Sequence, residues 1–88
     1  MHLKCTFETM ELDDRHIAIP VGEGSESFHG VIKMDDVSLF IFKLLKEDIT
    51  EDEIIEKMKS EFDAPEERLR TDVHQFLDNF TEKGLLIQ

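Results

Sequence analysis

Cysteine and long apolar runs are both scarce in this sequence, and each scarcity excludes a class of protein. The single cysteine, Cys5, cannot form a disulfide within the chain, so we expect a reducing, cytoplasmic environment. No stretch approaches the ~18 consecutive apolar residues that a membrane-spanning helix needs, and residues 1–10 lack the apolar run of a signal peptide. We therefore expect a soluble protein in which Cys5 is a small apolar side chain.

Basic residues are few as well, since 10 Lys and Arg stand against 21 Asp and Glu, for a formal net charge of −11. Affinity for nucleic acid depends on Lys and Arg that displace counterions from phosphates, and a strongly acidic chain repels phosphates at long range. The composition disfavours nucleic acid and anionic membranes as partners and favours basic peptides or basic patches on proteins. The alternative is that the charge only keeps a small domain in solution.

Motifs of catalysis, metal binding and phosphate binding are missing. The histidines lack HxxxH or HExxH spacing, and the glycines of residues 22–27 (GEGSES) have the wrong spacing for a phosphate loop. The acids near residues 51–56 are expected on a solvated helix face, whereas acid–base catalysis needs a concave site. We predict no enzyme activity, no metal and no cofactor, and an exposed cross-strand pair of His16 with His29.

The sequence before Met34 alternates in short segments separated by turn residues, which is typical of strands. We predict strands at residues 4–12, 16–21 and 28–34, with a turn at residues 13–15 and a polar loop at residues 22–27. Ile17, Ile19 and Val21 share one face of the second strand. Gly30 marks either a bulge or a close approach of another backbone.

After Met34 the apolar residues recur at helical spacing, and three helices are predicted. Asp35 or Asp36 caps the first helix, Thr50 and Glu53 form a capping box for the second, and Pro65 suits the first turn of the third. Gly84 ends the third helix, after which residues 85–87 fold back over the core. The buried residues are predicted to be Phe40, Ile41, Leu44 and Leu45, then Ile54, Ile55, Met58 and Phe62, then Leu69, Val73, Phe76, Leu77 and Phe80.

These 88 residues have room for one domain, residues 1–88. The predicted fold class is α+β, a three-stranded antiparallel sheet followed by three helices. Because a short turn separates the last two helices, the architecture is winged helix-turn-helix-like.

Two stretches, HIAIPVGEGSESFHGVIKMDDVSLFIFKLL and ITEDEIIEKMKSEFDAPEERLRTDVHQFLDNFTEKGLL, carry a resemblance to a known family. The first is similar to the PqqD pattern of a strand, a polar loop and an apolar strand ending in Leu-Asn, followed by a helix with Phe-Ile-Trp-x-Leu-Leu. Met34-Asp35 stands for Leu-Asn, and Phe42 stands for the Trp. The second resembles the family's last two helices. The chain thus resembles PqqD-type precursor-peptide recognition elements over roughly residues 10–87.

The resemblance implies that the chain binds the leader segment of a ribosomally made precursor peptide and presents it to a modifying enzyme, often a radical-SAM protein. The leader would add as a strand to the edge of the third strand, beside the third helix. Lys33 and Arg68 would pair leader carboxylates, and Asp72 would pair a leader Lys or Arg. The implied peptide-binding residues are Gly30, Val31, Ile32, Lys33, Met34, Arg68, Leu69, Asp72, Val73 and Phe76.

Several alternatives stay open at this point. One alternative is that Leu69, Val73 and Phe76 are plain core residues. Another is that the chain is a protein–protein adaptor of the same fold, with no role in peptide maturation. A winged-helix DNA reader is disfavoured, because residues 65–81 hold Arg68 and Arg70 against four acids. The leader hypothesis requires that the edge of the third strand is open and lies next to a cleft.

Overall fold

The computed structural model describes residues 1–22 and 30–87. Most of the predicted polar loop, the first two residues of the predicted third strand and the predicted partner His29 of His16 lie outside the described residues. Along the described residues the elements are β1 (His2–Leu3), β2 (Thr6–Leu12), β3 (Arg15–Val21), β4 (Ile32–Met34), α1 (Asp36–Leu44), α2 (Glu51–Glu61), α3 (Glu66–Glu82) and β5 (Leu86–Ile87).

The central sheet is antiparallel, with the strand order β2-β3-β4. Leu12 pairs with Arg15 across a turn of two residues, so Arg15 belongs to β3 rather than to the predicted turn. Asp13 in this turn has a φ of 56°, a left-handed conformation that Asp tolerates better than most residues. This sheet and the three helices that follow confirm the predicted fold class.

A second sheet of two strands, β1 and β5, joins the two ends of the described chain. The backbone N–H of Leu3 donates to the carbonyl oxygen of Leu45 at 3.0 Å, and that of Lys4 donates to Leu85 at 2.8 Å. The predicted first strand at residues 4–12 is therefore wrong at its start. The backbone of Lys4 is hydrogen-bonded to Leu85 rather than to a strand of the central sheet. Only Thr6–Leu12 pairs with β3.

The helix starts agree with the side-chain caps that the sequence predicts. Asp35 caps α1, because its Oδ1 accepts from the backbone N–H of Ser38 at 2.8 Å. Thr50 and Glu53 form the capping box of α2, in which each side chain accepts from the other residue's backbone N–H at 3.2 and 3.1 Å. Pro65 was expected in the first turn of α3, but it is the residue before the helix and provides no side-chain cap. The caps of α1 and α2 satisfy backbone donors that a helix end leaves unpaired.

The core lies between the helices and one face of the central sheet, and Phe42 is at its centre. Phe42 is fully buried, and its ring makes edge contacts with Phe7 and Phe80 at centroid distances of 5.2 and 6.2 Å. The predicted α1 core is correct for Ile41 and Leu45, whereas Phe40 and Leu44 are only partly buried. The predicted core residues of α3 are all buried, and those of α2 are buried except Phe62, which is partly buried. Of the residues expected to fold back over the core, Leu85 is buried and Ile87 is 43% exposed.

The central sheet turns Ala18, Ile32 and Met34 toward the helices, where they belong to the core cluster. Ile17, Ile19 and Val21, the larger apolar residues of β3, alternate with Ala18 and therefore lie on the opposite face. Ala18 is fully buried in this cluster. Among the described residues, no helix is both long and apolar enough to cross a membrane.

Candidate peptide-binding groove

The outer edge of β4 is open within the described part of the chain. β4 pairs with β3 through His16 and Met34, Ile17 and Lys33, and Ala18 and Ile32, and no other described strand pairs with it. In an antiparallel edge strand, the backbone N–H and C=O groups of alternate residues point away from the partner strand. β4 therefore offers hydrogen-bonding groups to an extended peptide.

The side chains of this strand hold its backbone at the surface. Ile32 and Met34 are buried, with 6% and 4% of their surface exposed, while Val31 and Lys33 between them are exposed. The two buried side chains anchor β4 to the core without covering its edge.

Gly30, which precedes the strand, has a φ of +127°, and a Cβ added there would meet nothing within 4 Å. The positive φ, which side-chain-bearing residues rarely adopt, explains why glycine occupies this position, whereas lack of space does not. The approach of a second backbone at Gly30, one of the two roles predicted for it, stays a prediction.

A groove of about 350 Å³ lies between α1 and α3 and begins at Asp35, the residue after β4. Three of the predicted site residues line it, namely Arg68, Asp72 and Phe76. Sequence reasoning missed the remaining lining residues, which are Asp35, Val37, Ser38, Ile41, Gln75 and Asn79.

Gln75 and Asn79 follow Arg68 and Asp72 at helical spacing, so the periodicity of α3 contains the signal that identifies them. The residues of α1 gave no such signal. Their place in the groove depends on how α1 packs against α3, and a local sequence pattern does not report that packing.

Leu69 and Val73 lie behind the groove wall. They retain 2% and 0% of their surface and belong to the core cluster, so their side chains have almost no area to offer a bound peptide. Phe76 is 8% exposed and stacks on Phe80 at a centroid distance of 4.3 Å. The ring of Phe76 thus lies between core and groove, with Leu69 and Val73 supporting the same helix from within.

The charged residues expected to contact a leader are not engaged with one another. Within residues 1–22 and 30–87, the side chains of Lys33, Arg68 and Asp72 form no ion pair or side-chain hydrogen bond. Their charges are therefore available to groups of a bound peptide.

The cations Lys59 and Arg70 contrast with Arg68, because both are held by carboxylates. Lys59 bonds Glu66, and Arg70 contacts Asp52 at 3.3 Å and Glu66 at 3.4 Å. The Lys59 ammonium, followed by the Arg70 guanidinium, holds the pKa of Glu66 below its ordinary value. This cluster joins α2 to α3 on the side of α3 that carries Arg70. The carboxylates thus neutralise one of the two arginines of α3, which is a further argument against binding of DNA by this helix.

His16 ties β3 to the start of α1 next to the groove. Its Nε2 lies 2.8 Å from Oδ1 of Asp36, and its Nδ1 lies 3.8 Å from Oε1 of Glu11. Only 14% of the histidine side chain is exposed. This contact fixes the turn between β4 and α1, where the groove begins. In the described part of the chain, no three His, Cys, Asp or Glu side chains cluster in a way that would hold a metal ion.

Comparisons with known proteins agree with this geometry. The family model described as "Coenzyme PQQ synthesis protein D (PqqD)" matches residues 15–86. A solved structure described as "TbiB1 in Complex with the TbiA(beta) Leader Peptide" is similar in fold, with a TM-score of 0.72 and 22% sequence identity over 98% of this chain and 94% of that one. No curated protein matches the sequence.

Proposed function

Because this chain belongs to the PqqD family, we propose that it binds the leader segment of a ribosomally synthesised precursor peptide and presents it to a peptide-modifying enzyme. The observation that carries the proposal is the open edge of β4, which leads at Asp35 into the groove between α1 and α3. An edge of this kind binds an extended chain through backbone hydrogen bonds, and neighbouring side-chain pockets give selectivity. The protein of similar fold was itself solved with a leader peptide, which supports the same kind of guest here.

Each part of the site has its own role in this proposal. The backbone of residues 30–34 supplies the hydrogen bonds, while Ile32 and Met34 keep that backbone in place from the core side. Phe76 and the partly buried Val37 supply the apolar surface of the groove. Lys33 and Arg68 pair leader carboxylates, and Asp72 pairs a leader Lys or Arg. Leu69 and Val73 act indirectly, because they support the wall of the groove.

The domain itself performs no chemistry in this proposal. Its task is to hold the leader so that the rest of the precursor reaches the active site of the modifying enzyme. Membership of the PqqD family favours a radical-SAM protein as that enzyme. The net charge of −11 favours a partner surface that carries Lys or Arg.

Backbone-amide NMR with the precursor encoded beside this gene tests the proposal. We expect roughly micromolar or tighter binding, since an added strand buries less surface than a standard protein–protein interface. The shifts are expected at residues 30–34 and along the side of α3 that carries Arg68, Asp72 and Phe76. Binding that leaves these residues unperturbed and shifts β2 or α2 instead contradicts the assigned groove. A scrambled leader of the same composition is the control for simple charge attraction.

A further inference from the structure

The face of the central sheet that points away from the helices, here called the outer face, is largely apolar. It carries Met10 and Leu12 of β2 and Ile17, Ile19 and Val21 of β3, because Met10 is paired with Ile17 and side chains alternate along each strand. None of these five residues belongs to the core cluster or packs against it. Ile17 is nevertheless only 9% exposed, so its neighbours on this face already cover it.

The exposed apolar side chains of residues 1–22 and 30–87 are concentrated on this face. Among the described residues, the exposed large hydrophobic side chains are Met10 (50%), Leu12 (59%), Val31 (49%) and Ile87 (43%). Val31 precedes the inward-pointing Ile32, so alternation places it on the outer face, and only Ile87 lies elsewhere, in β5. Single exposed apolar residues are ordinary, but a contiguous group on one face marks an interaction site.

A leader bound as a strand would enlarge this same face. The strand order would become β2-β3-β4-leader, and alternate leader side chains would project from the outer face beside Lys33, which is paired with Ile17. A protein that covers the outer face would therefore contact both this chain and the bound leader. The outer face and the groove between α1 and α3 lie on opposite sides of the sheet, so both can be occupied together.

The charges around the outer face indicate what kind of protein fits it. Glu8 lies on the same face as Met10 because it is paired with Ile19, and Asp13 and Asp14 follow Leu12 in the turn. Two bases share this face, since Arg15 is paired with Leu12 and Lys33 with Ile17. Two copies of this chain would repel each other because each carries a net charge of −11, and this overall repulsion disfavours a homodimer. A partner with an apolar centre flanked by Lys or Arg matches both the side chains and the charge.

We propose that the outer face docks the peptide-modifying enzyme through such a surface, and that the enzyme contacts the leader strand in the same interface. This inference rests on the proposed function, because the leader completes the docking surface. The enzyme would then bind the leader-bound domain more tightly than the empty domain, because the leader strand adds surface that contacts the enzyme.

The test uses the purified modifying enzyme and the leader peptide encoded beside this gene, with the variant M10T/L12T. Threonine keeps the strand preference of these positions while removing their apolar surface. We expect the variant to bind the leader within twofold of the original affinity and to bind the enzyme at least tenfold more weakly. The control I87T removes an exposed apolar side chain from the other sheet and is expected to leave both affinities unchanged. Circular dichroism and thermal unfolding verify that the variants fold.

The outcomes separate the two proposals. If the enzyme binds the M10T/L12T variant as tightly as the original, or binds the loaded and empty domains equally, the outer-face inference is overturned and leader binding stands. Sedimentation that shows the domain dimerising through Met10 and Leu12 also overturns it. If the leader does not bind at all, the proposed function fails. In that case the enzyme is titrated against the empty domain and against the empty M10T/L12T variant. Weaker binding to the variant would show that the enzyme still contacts the outer face, and equal binding would show that it does not.

Discussion

Arg68 and Arg70 stand two residues apart on α3 and meet different surroundings. Arg68 lines the groove and has no ion-pair partner among the described residues, whereas Arg70 is held by Asp52 and Glu66 on another side of the helix. The difference follows from helix geometry, because residues at i and i+2 do not face each other. The two positions therefore form a matched pair for testing which side of α3 binds the leader.

Replacing Arg68 by Gln is expected to weaken leader binding about fivefold, on the order of 1 kcal/mol, because the lost ion pair lies at a partly solvated rim. Replacing Arg70 by Gln removes the same charge from the chain but is expected to leave the leader affinity unchanged. Isothermal titration calorimetry of both variants with one leader peptide measures the difference. Equal losses in the two variants would mean that only the overall charge matters and that Arg68 has no specific contact.

Phe42 is a core residue that the helical pattern of the sequence did not predict to be buried. Its position resembles a Trp position of the family, but the helical pattern of α1 pointed to Phe40, Ile41, Leu44 and Leu45. The structure buries Phe42 completely because Phe7 of β2 and Phe80 of α3 contact its ring. Both partners are distant in sequence, so the spacing within α1 could not reveal that this helix is covered on more than one side.

At the scale of the elements, α2 and α3 are joined outside the core by the cluster of Lys59, Glu66, Arg70 and Asp52. Lys59 lies near the end of α2, and Glu66 is the first residue of α3. A negative side chain at a helix N-terminus also interacts favourably with the helix dipole. The cluster therefore fixes the short turn between the two helices.

This cluster gives stability a specific dependence on pH. The pKa of Glu66 is lower in the folded chain than its ordinary value of 4.5, chiefly because Lys59 donates a hydrogen bond to it. A depressed pKa contributes stability above the unfolded value, and the contribution is lost as pH falls through the folded value. We expect the E66Q variant to be less stable than the original protein at pH 7, and the difference to shrink below about pH 4.5.

Urea unfolding of the original protein and of E66Q at a series of pH values measures this difference. The matched control is E67Q, since Glu67 is adjacent in the first turn of α3 but forms no ion pair with the described residues. A stability difference between the original protein and E66Q that stays constant down to pH 3 would show that the ionised Glu66 is not responsible.

The sequence contains most of the information for the helices and less for the strands. Caps such as Asp35 and the Thr50–Glu53 box are local hydrogen bonds, so residue type and spacing identify them directly. The alternation in β3 correctly placed Ile17, Ile19 and Val21 on one face, but alternation does not say which face meets the helices. Contacts with the helices, which bury Ala18 rather than its larger neighbours in the core cluster, are made between distant parts of the chain and leave no local signal.

The candidate site divides in the same way. Arg68, Asp72 and Phe76 follow from the period of α3, while Val37, Ser38 and Ile41 enter the groove only because α1 folds against α3.

At the scale of the whole molecule, the acidic excess acts against compactness. The formal net charge is −11, and the folded chain measures 37 × 32 × 19 Å. At about 10 mM salt the screening length is ~30 Å, so most of the charges repel one another, whereas at about 150 mM it is ~8 Å and only neighbours interact. Folding brings these charges closer than they are in the unfolded chain.

The free energy of unfolding is therefore expected to rise between about 10 and about 150 mM NaCl. The midpoint of urea unfolding at constant slope measures the change, and KCl should give the same result if screening is the cause. A midpoint that falls with salt would indicate that the ion pairs between α2 and α3 outweigh the general repulsion.

The pairing of β1 with β5 has a consequence for how this domain can be connected to other proteins. Because His2 is paired with Ile87 and Leu3 with Leu86, the polypeptide enters and leaves the fold at neighbouring points, as is common in domains that tolerate insertion. A surface loop of a host enzyme could therefore accept the domain through a short spacer on each side. Because β1 and β5 form a sheet separate from the one that contains β4, a copy fused in this way would keep the β4 edge unpaired, ready to receive a substrate tail in cis.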